Sequence, residues 1–405
     1  MIHHKITISG DESERAYLAT LDNRLSTLAS RSGATFESVI REARGAFPTL
    51  VLQRLRALGL DRNLPVEQGV NTTFEASFSG PELHPLEFEW YFTPRCANDL
   101  AGILTNYAGL VLCLGAPTVA AAIARQGQRA LLVDCNPLIL DRIPKGLAGL
   151  QFILFDLLNP LSLRASFPVV FFDAPWYPEF TSLWLWQASQ AVRPGGLIAF
   201  ALFPPLLRPE AEHESSQIVK QASILGPVEL LEGALSYETP LFEQEALARC
   251  GVRITTSWRR ADLVLVRIRN IPQTAPPIIR NSKEKWDTFL LGQQVVKLRM
   301  PTRGESGIIL APLEDCPDYV FPTVSRRDPR RDQIDLWTSR NRVARVGRRD
   351  IVYTILDHLA KGSDIDKLLE LPALSSVSLK NRRQLISSLR LILRFSWGIG
   401  KTDAT

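Results

Sequence analysis

The sequence predicts an α/β protein whose core is an open, doubly wound parallel sheet, with helical and basic accessory regions on either side. Between about residues 85 and 270, short and almost continuously apolar segments alternate with stretches at helical spacing. This alternation is typical of a parallel sheet that helices cover on both faces. Right-handed crossovers then place the functional site at the carboxyl ends of the strands. The candidate strands are residues 109–115, 129–134, 150–156, 168–173, 196–203 and 262–268.

Four regions of different character follow one another along the 405 residues. Leucines recur at helical spacing near the N-terminus, from Leu18 to Leu28, and helical patterns return near the C-terminus. Between the α/β pattern and the last helices, short apolar segments predict antiparallel strands at 295–300, 307–313, 319–324 and 333–339. We therefore expect a helical N-terminal region (1–80), an α/β domain (81–270), a basic β-rich segment (271–350) and a small helical C-terminal domain (351–405).

The composition excludes several classes of protein. The five cysteines are scattered without a CxxC pair, which favours a reducing compartment, the cytoplasm, over a disulfide framework. The five histidines form no HExxH motif and no cluster at ligand spacing, so we expect no metal site. The N-terminus lacks the apolar segment of a signal peptide, and no apolar run is long enough to cross a bilayer.

Polar residues and a glycine stand at the ends of four successive candidate strands. The first strand runs into Gly115-Ala116, where a glycine lets a ligand approach the backbone at a helix N-terminus. Asp134 ends the second strand about 20 residues later, the spacing at which an acid binds ribose hydroxyls in Rossmann-type sites. Asp156 and Asp173 end the third and fourth strands. Such a set predicts a crevice that fits a nucleoside.

A simpler interpretation exists for each of these residues alone. Acids and glycines often terminate strands and cap helices without binding anything. For Asp134 or Asp156 taken singly, the two interpretations are evenly balanced. Three acids in register with the segment that follows the fourth strand favour the nucleoside site.

The segment after the fourth strand resembles a known motif. Asp173-Ala174-Pro175-Trp176-Tyr177 is similar to the [DNS]PP[YFW] motif of amino-group methyltransferases that use S-adenosylmethionine. The resemblance is closer to the N6-adenine methyltransferase family, which includes the elongation factor 1A lysine methyltransferases. Matching features are the aromatic residues in Phe88-Glu89-Trp90-Tyr91, the segment from Cys113 to Pro117 and the sequence FDLLNPL at 155–161. The resemblance covers about residues 86–210.

This resemblance implies a Rossmann-like methyltransferase sheet with S-adenosyl-L-methionine as the cofactor. The cofactor-binding residues would be Gly115, Ala116, Asp134, Asp156 and Trp90, although core packing is an equally good interpretation of Trp90. Asp173 and the carbonyl of Ala174 would accept the N–H groups of the target amine, and Pro175 would hold that carbonyl rigidly. Trp176 would offer a face for a planar base or a lysine side chain. Ala174 stands where the family has a first proline, which reduces the preorganisation of the motif.

A second candidate site is the arginine-rich segment 325–349, which holds nine arginines against three aspartates. Clustered arginines are suited to bidentate phosphate contacts, so Arg326, Arg327, Arg330 and Arg331 are candidate nucleic-acid contacts. Trp337 is a candidate for stacking on a base. The alternative is an ion-paired or solvated face, which is what most charge runs form.

These observations predict a cytoplasmic S-adenosylmethionine-dependent N-methyltransferase that acts on an exocyclic amino group. Adenine N6 in DNA or RNA is the leading substrate, and a protein lysine is the alternative within the same class of enzyme. A non-catalytic module that binds nucleic acid or a partner through the methyltransferase fold is the alternative from a different class. No membrane association is expected.

Overall fold

The computed structural model describes residues 10–65, 78–107, 109–163, 166–254, 257–271, 275–279, 284–300, 309–325 and 327–393. The chain divides into two compact units, and each unit consists of several stretches of the chain. The first unit consists of Met1–Ser79, Glu89–Thr239 and Val252–Asn281, and the second of Gly80–Phe88, Pro240–Gly251 and Ser282–Thr405. The N-terminal helices thus share a unit with the predicted α/β elements, and the C-terminal helices share one with the β-rich segment. No helix of the described residues combines the length and apolar character needed to cross a membrane.

The helices, in chain order, are α1 (Gly10–Ala29), α2 (Phe36–Glu42), α3 (Pro48–Ala57), α4 (Pro94–Thr105), α5 (Pro117–Arg125), α6 (Ile139–Arg142), α7 (Pro178–Ala191), α8 (Ala211–Leu225), α9 (Leu241–Arg249), α10 (Arg349–Ala360) and α11 (Leu379–Leu393). The strands are β1 (Val111–Leu114), β2 (Ala130–Asp134), β3 (Leu150–Leu154), β4 (Phe167–Phe172), β5 (Val192–Leu202), β6 (Val228–Ser236), β7 (Arg260–Arg267), β8 (Trp286–Leu291), β9 (Gln294–Arg299), β10 (Leu310–Ala311), β11 (Leu336–Thr338) and β12 (Val343–Val346).

The first unit is built on a seven-stranded sheet with the order β3-β2-β1-β4-β5-β7-β6. Strands β1 to β5 run parallel, whereas β7 is antiparallel to β5 and β6 is antiparallel to β7. Every residue of β1, β2 and β4 is buried, which explains why these strands appear as continuous apolar runs in the sequence. The predicted fold class, a doubly wound α/β sheet, is confirmed.

The six strands predicted for this sheet all form, but a seventh was missed. Strand β6 has the sequence VELLEGALS, in which two glutamates and a glycine interrupt the apolar pattern. It lies at the edge of the sheet, and most of its residues are only partly buried or exposed. An edge strand needs no continuous apolar run, so its sequence gives a weak signal.

The second unit contains a five-stranded antiparallel sheet with the order β10-β12-β11-β9-β8. The predicted segments 295–300 and 333–339 correspond to β9 and β11, although β9 begins one residue earlier, whereas β8 and β12 were missed. The predicted strand at 319–324 is wrong, because only an isolated bridge joins Val320 to Arg342 there. Of the segment 307–313, Leu310 and Ala311 form β10, while 307 and 308 lie outside the described residues.

Helices α1 to α3 pack together and contact the loop that follows β5. Leu21, Leu25, Val51 and Leu55 are fully buried in this helical region. Its link to the sheet includes a hydrogen bond of 3.0 Å from the Tyr17 hydroxyl to the carbonyl oxygen of Leu206. The helical N-terminal region is therefore part of the wall around the carboxyl end of β5.

Candidate active site

The register of the parallel strands gathers their carboxyl ends at one edge of the sheet. Leu114, the last residue of β1, lies beside Val133 of β2 and Phe172 of β4. Backbone hydrogen bonds continue past the strand ends, from the Gly115 amide to the Val133 carbonyl (2.9 Å) and from the Asp173 amide to the Leu114 carbonyl (3.2 Å). Gly115, Asp134 and Asp173 therefore lie on neighbouring strand ends, as the pattern predicts.

Position 115 requires a glycine because its backbone conformation is left-handed and because a tryptophan ring occupies the space that a Cβ atom would need. Its φ of +58° lies in the left-handed region, which strains any residue with a Cβ atom. A Cβ built on Gly115 would also come within 2.6 Å of two ring carbons of Trp184, a residue of α7. The sequence suggested that the glycine admits a ligand, whereas in this structure the adjacent space is filled by the Trp184 indole.

Asp134 anchors a chain of polar contacts beside the turn after β2. Its Oδ1 accepts a hydrogen bond of 2.8 Å from the Asn136 amide, and the side chain is almost fully buried. The Asn136 side-chain amide donates to Glu89 Oε1 at 2.7 Å. Arg142, buried in α6, donates to Glu89 Oε2 at 3.1 Å. Glu89 thus connects the segment of the resemblance to the end of β2, a role that the sequence does not reveal because the resemblance in this segment rests on the aromatic residues.

Asp156 is held in a local turn. Its Oδ1 accepts a hydrogen bond of 3.1 Å from the Leu158 amide, an arrangement typical of an aspartate that caps a turn. The residue is half-buried, and the Phe155 amide before it donates to the Asp134 carbonyl at 2.8 Å. The role of Asp156 in cofactor binding stays a prediction.

Asp173 is the most perturbed acid of the site. Its Oδ1 accepts a hydrogen bond of 3.0 Å from the hydroxyl of Tyr237, a fully buried residue just after β6. Removal from water raises the pKa of Asp173 to about 8, although the Tyr237 hydrogen bond and the positive charge of Arg259 oppose this shift. Burial, followed by the Asp173 charge, also raises the pKa of Tyr237 well above its ordinary value. A carboxyl group with such a pKa exchanges its proton near neutral pH.

Arg259 lies among three tryptophans close to Asp173. The centre of its guanidinium is 4.7 Å from the ring centroid of Trp90, 5.1 Å from that of Trp176 and 4.9 Å from that of Trp258. These distances are typical of cation–π contacts. Tyr237 also packs edge-on against Trp176, at 5.5 Å between ring centroids. The face of Trp176 that was expected to receive a substrate is therefore at least partly covered by Arg259.

The remaining residues of the motif lie in the loop between β4 and α7. Ala174 is buried, and Pro175 and Trp176 are half-buried. The Tyr177 amide donates to the Pro175 carbonyl at 2.6 Å, which tightens the turn before α7 begins. That the Ala174 carbonyl accepts an N–H group of the substrate stays a prediction.

The structure contradicts two of the residues predicted for nucleic-acid binding. Trp337 is 1% exposed, and its Nε1 donates to Asn341 Oδ1 at 2.9 Å, so its ring is not available for stacking on a base. Arg331 is buried, with its guanidinium over the rings of Trp337 and Phe88. Both side chains belong to the core of the second unit.

The other arginines of this segment are largely neutralised by acids. Arg330 forms an ion pair with Asp328 at 2.6 Å, which lowers the pKa of that aspartate. Arg340 pairs with Glu82 at 2.8 Å, and Arg348 pairs with Asp350 at 2.9 Å. Arg349 pairs with Asp287. Arg327 is exposed, and Arg326 lies outside the described residues. The ion-paired alternative therefore describes this segment better than phosphate binding.

Comparison with solved structures gives a likeness of fold. The chain is similar in fold to a variant of the branched-chain polyamine synthase of Thermus thermophilus, in complex with N4-aminopropylspermidine and 5′-methylthioadenosine, with a TM-score of 0.50 and 17% identity over 67% of this chain and 94% of that chain. The sheet is Rossmann-like. No family model matches the sequence, and no curated protein matches it.

Two further structures give lower scores. Spermidine synthase from Thermotoga maritima has a TM-score of 0.32 and 10% identity over 45% of this chain and 61% of that chain. An rRNA methylase from Streptococcus thermophilus has a TM-score of 0.29 and 12% identity over 44% of this chain and 95% of that chain. A likeness of fold does not identify an activity, so the activity must be argued from the site itself.

We predict that Gly115→Ala destabilises the protein more than Gly33→Ala does. Both glycines have a positive φ, +58° and +74°, but only Gly115 faces a neighbouring side chain within 4 Å. The left-handed conformation alone costs about 1–2 kcal/mol, and displacing the Trp184 ring adds about 1–3 kcal/mol. Urea unfolding of the two variants measures the difference. Equal losses would show that Trp184 moves at no cost and that crowding does not explain the glycine.

Proposed function

We propose that this chain is an S-adenosylmethionine-dependent transferase that alkylates an amine nitrogen held at Asp173. The observation that supports it most is the placement of an acid with a pKa of about 8 at the carboxyl end of β4, beside Tyr237 and Arg259. The resemblance of residues 173–177 to the amino-group methyltransferase motif gives methyl as the leading transferred group. Adenine N6, a protein lysine and a small aliphatic amine are the candidate acceptors.

The residues at the strand ends fit a nucleoside cofactor in one specific respect. The indole Nε1 of Trp184 is buried and has no hydrogen-bond partner among the described residues, and the same ring lies against the Gly115 turn. A buried donor without a partner is costly unless a ligand satisfies it. Asp134, Asp156 and the Gly115 turn would hold the adenosine, and Trp184 would contribute a hydrogen bond. When bound, S-adenosylmethionine supplies a carbon made electrophilic by its sulfonium.

Asp173 then positions the nucleophile and takes its proton. The acceptor amine first gives up a proton, and its lone pair then forms the new N–C bond while the bond between the transferred carbon and the donor sulfur breaks and its electron pair goes to that sulfur. The carboxylate of Asp173 accepts that proton, because its raised pKa makes it a stronger base than an ordinary aspartate. The Tyr237 hydroxyl fixes the orientation of the carboxylate through its Oδ1 atom. Positioning of this kind, with competing water excluded, is the main way in which a protein accelerates such a displacement.

Among the candidate acceptors, an aliphatic amine suits the site better than a nucleobase. An aliphatic amine is protonated in neutral water and must lose a proton before its lone pair can attack, whereas the adenine amino group is already neutral. A base with a pKa of about 8 matches the first requirement. Arg259 also covers part of Trp176, where a base would stack, and the arginine-rich segment gives little support for a nucleic-acid substrate.

Aminopropyl transfer is a second candidate for the reaction. The Thermus thermophilus synthase with the similar fold is in complex with an aliphatic polyamine, N4-aminopropylspermidine, and with 5′-methylthioadenosine. An aliphatic acceptor at Asp173 agrees equally well with this chemistry. The two reactions share the sulfonium displacement and differ in the group that leaves the sulfur.

The products of the nucleoside donor distinguish these functions. Wild-type protein is incubated with S-adenosylmethionine and, in separate reactions, with spermidine, total protein or an oligonucleotide. We expect one of the two amine acceptors to give S-adenosylhomocysteine, which mass spectrometry detects. Release of 5′-methylthioadenosine from decarboxylated S-adenosylmethionine would identify aminopropyl transfer instead. Product formation with the oligonucleotide alone would restore adenine as the substrate. Absence of both nucleoside products with every acceptor would contradict the proposed transferase.

Asp173→Asn should abolish turnover and reverse a pH-dependent loss of stability. Because the folded protein raises the pKa of Asp173 from 3.8 to about 8, the folded state binds the proton more tightly than the unfolded chain. Wild-type stability therefore falls as pH rises from about 4 to about 8. Asparagine stays neutral at both pH values. The free energy of unfolding of the variant minus that of wild type should therefore be higher at pH 8.5 than at pH 5, by about 2 kcal/mol or more. Urea unfolding at the two pH values measures this, and an equal difference at both would refute the raised pKa.

Tyr237→Phe should move the pH dependence of kcat/KM to higher pH. Loss of a hydrogen bond to the charged form removes about 1.5–3 kcal/mol, which raises the pKa of Asp173 further and shifts the acidic limb upward by about one unit or more. Tyr107→Phe is a matched control, because Tyr107 contacts Arg267 rather than Asp173. A variant that is equally impaired at all pH values would show that Tyr237 only supports the packing.

A further inference from the structure

A second cleft of the first unit is rich in arginine and separate from the residues around Asp173. It has a volume of about 590 Å³ and lies between helices α1 and α2 and the end of the sheet formed by β5, β6 and β7. We define this arginine cleft by its four basic residues, Arg24, Arg41, Arg44 and Arg260. Three carboxylates, of Glu42, Glu232 and Asp262, also line it.

The three carboxylates already have arginine partners. Arg44 pairs with Glu232 at 2.7 Å and with Asp262 at 3.0 Å. Glu42 pairs with Arg31, outside the lining of the cleft. No carboxylate of the described residues is among the groups that shift the pKa of Arg260, which burial lowers first and the charge of Arg41 next. The lining of the cleft thus carries four basic and three acidic side chains.

The arginines also repel one another. Burial lowers the pKa of Arg24, and the positive charge of Arg44 lowers it further, although the charges of Glu42 and Glu232 oppose this shift. Burial likewise lowers the pKa of Arg260, with Arg41 as the next cause. Like charges held together and partly out of water destabilise the protein unless an anion lies between them.

The backbone around the cleft is fixed in an unfavourable conformation. Arg44 has a φ of +53°, in the left-handed region that a non-glycine residue rarely adopts. Gly45 follows with a φ of +93°, and a Cβ built on it would come within 2.3 Å of Pro204 Cγ, in the loop after β5. The Arg44 carbonyl accepts the Leu206 amide at 3.0 Å. Strained residues persist where the surrounding structure holds them, and they are concentrated at binding sites.

We propose that the arginine cleft binds a phosphate group. Arginine forks match phosphate oxygens in a bidentate manner, and four of them from different segments can surround one tetrahedral anion. The cleft is larger than a single phosphate, so its ligand is a phosphate ester, either a small phosphorylated molecule or the backbone of a nucleic acid. Phosphate binding at this cleft is independent of whether Asp173 acts in transfer.

Calorimetric titration of the full chain tests whether the arginine cleft binds phosphate. The three probes are inorganic phosphate, pyrophosphate and an eight-nucleotide oligothymidine, in chloride buffer at constant ionic strength. We expect pyrophosphate to bind wild-type protein and to bind Arg41→Gln/Arg260→Gln at least tenfold more weakly. Arg95→Gln is the matched control, because the Arg95 side chain is 93% exposed on α4 of the same unit. Its affinity should equal that of wild type.

The three probes distinguish the source of the phosphate. If pyrophosphate binds tightly and the oligonucleotide does not bind, the ligand is a small phosphorylated molecule. If the oligonucleotide binds more tightly than pyrophosphate, and the double variant loses this binding, the ligand is a nucleic-acid backbone. If the double variant does not fold, phenylglyoxal modification of wild-type protein decides, because bound pyrophosphate should protect Arg41 and Arg260 in mass-spectrometric peptide maps. The proposal would be overturned if no probe binds. It would also be overturned if a probe binds the double variant as tightly as wild type, or if bound pyrophosphate does not protect Arg41 and Arg260 from phenylglyoxal.

Discussion

The parallel pairing of β1 with β2 and β4 is the constraint on which the site depends. Because Leu114 lies beside both Val133 and Phe172, the chain leaves three neighbouring strands at the same edge of the sheet. A shift of one residue in this register would turn each buried strand over and move Asp134 and Asp173 away from that edge. Complete burial of the three strands on both faces makes such a shift costly, so the positions of the site residues follow from the packing of the core.

Within that frame, the chemistry of Asp173 depends on a balance of opposing effects. Burial favours its protonated form, whereas the Tyr237 hydroxyl and the Arg259 guanidinium favour the carboxylate. Arg259 is in turn held by three tryptophan faces rather than by a direct pair with the acid. Its positive charge therefore influences Asp173 from a distance, and the acid stays able to exchange a proton near neutral pH. A direct ion pair would have kept Asp173 ionised and made it a weak base.

The parts of the site that the sequence predicted are local, and the parts that it missed come from distant segments. Each acid at a strand end follows an apolar run, so Asp134, Asp156 and Asp173 could be identified from a short window. Tyr237, Arg259 and Trp184 reach the site only after β6, β7 and α7 have packed around the sheet. The fold was predicted well for the same reason. Central strands leave a continuous apolar signal, whereas the edge strands β6 and β8 and the four-residue strand β12 do not.

The two arginine-rich regions show why charge in a sequence does not by itself identify a binding site. Residues 325–349 have the larger surplus, yet Glu82 and Asp287, both distant in sequence, pair with Arg340 and Arg349 of that segment. The four arginines of the cleft are scattered from position 24 to position 260, so no window of the sequence shows them as a cluster. The acids that line the cleft pair with Arg31 or Arg44. What distinguishes a site from a solvated surface is therefore the number of acids that folding brings to each cation, and only the tertiary structure determines that number.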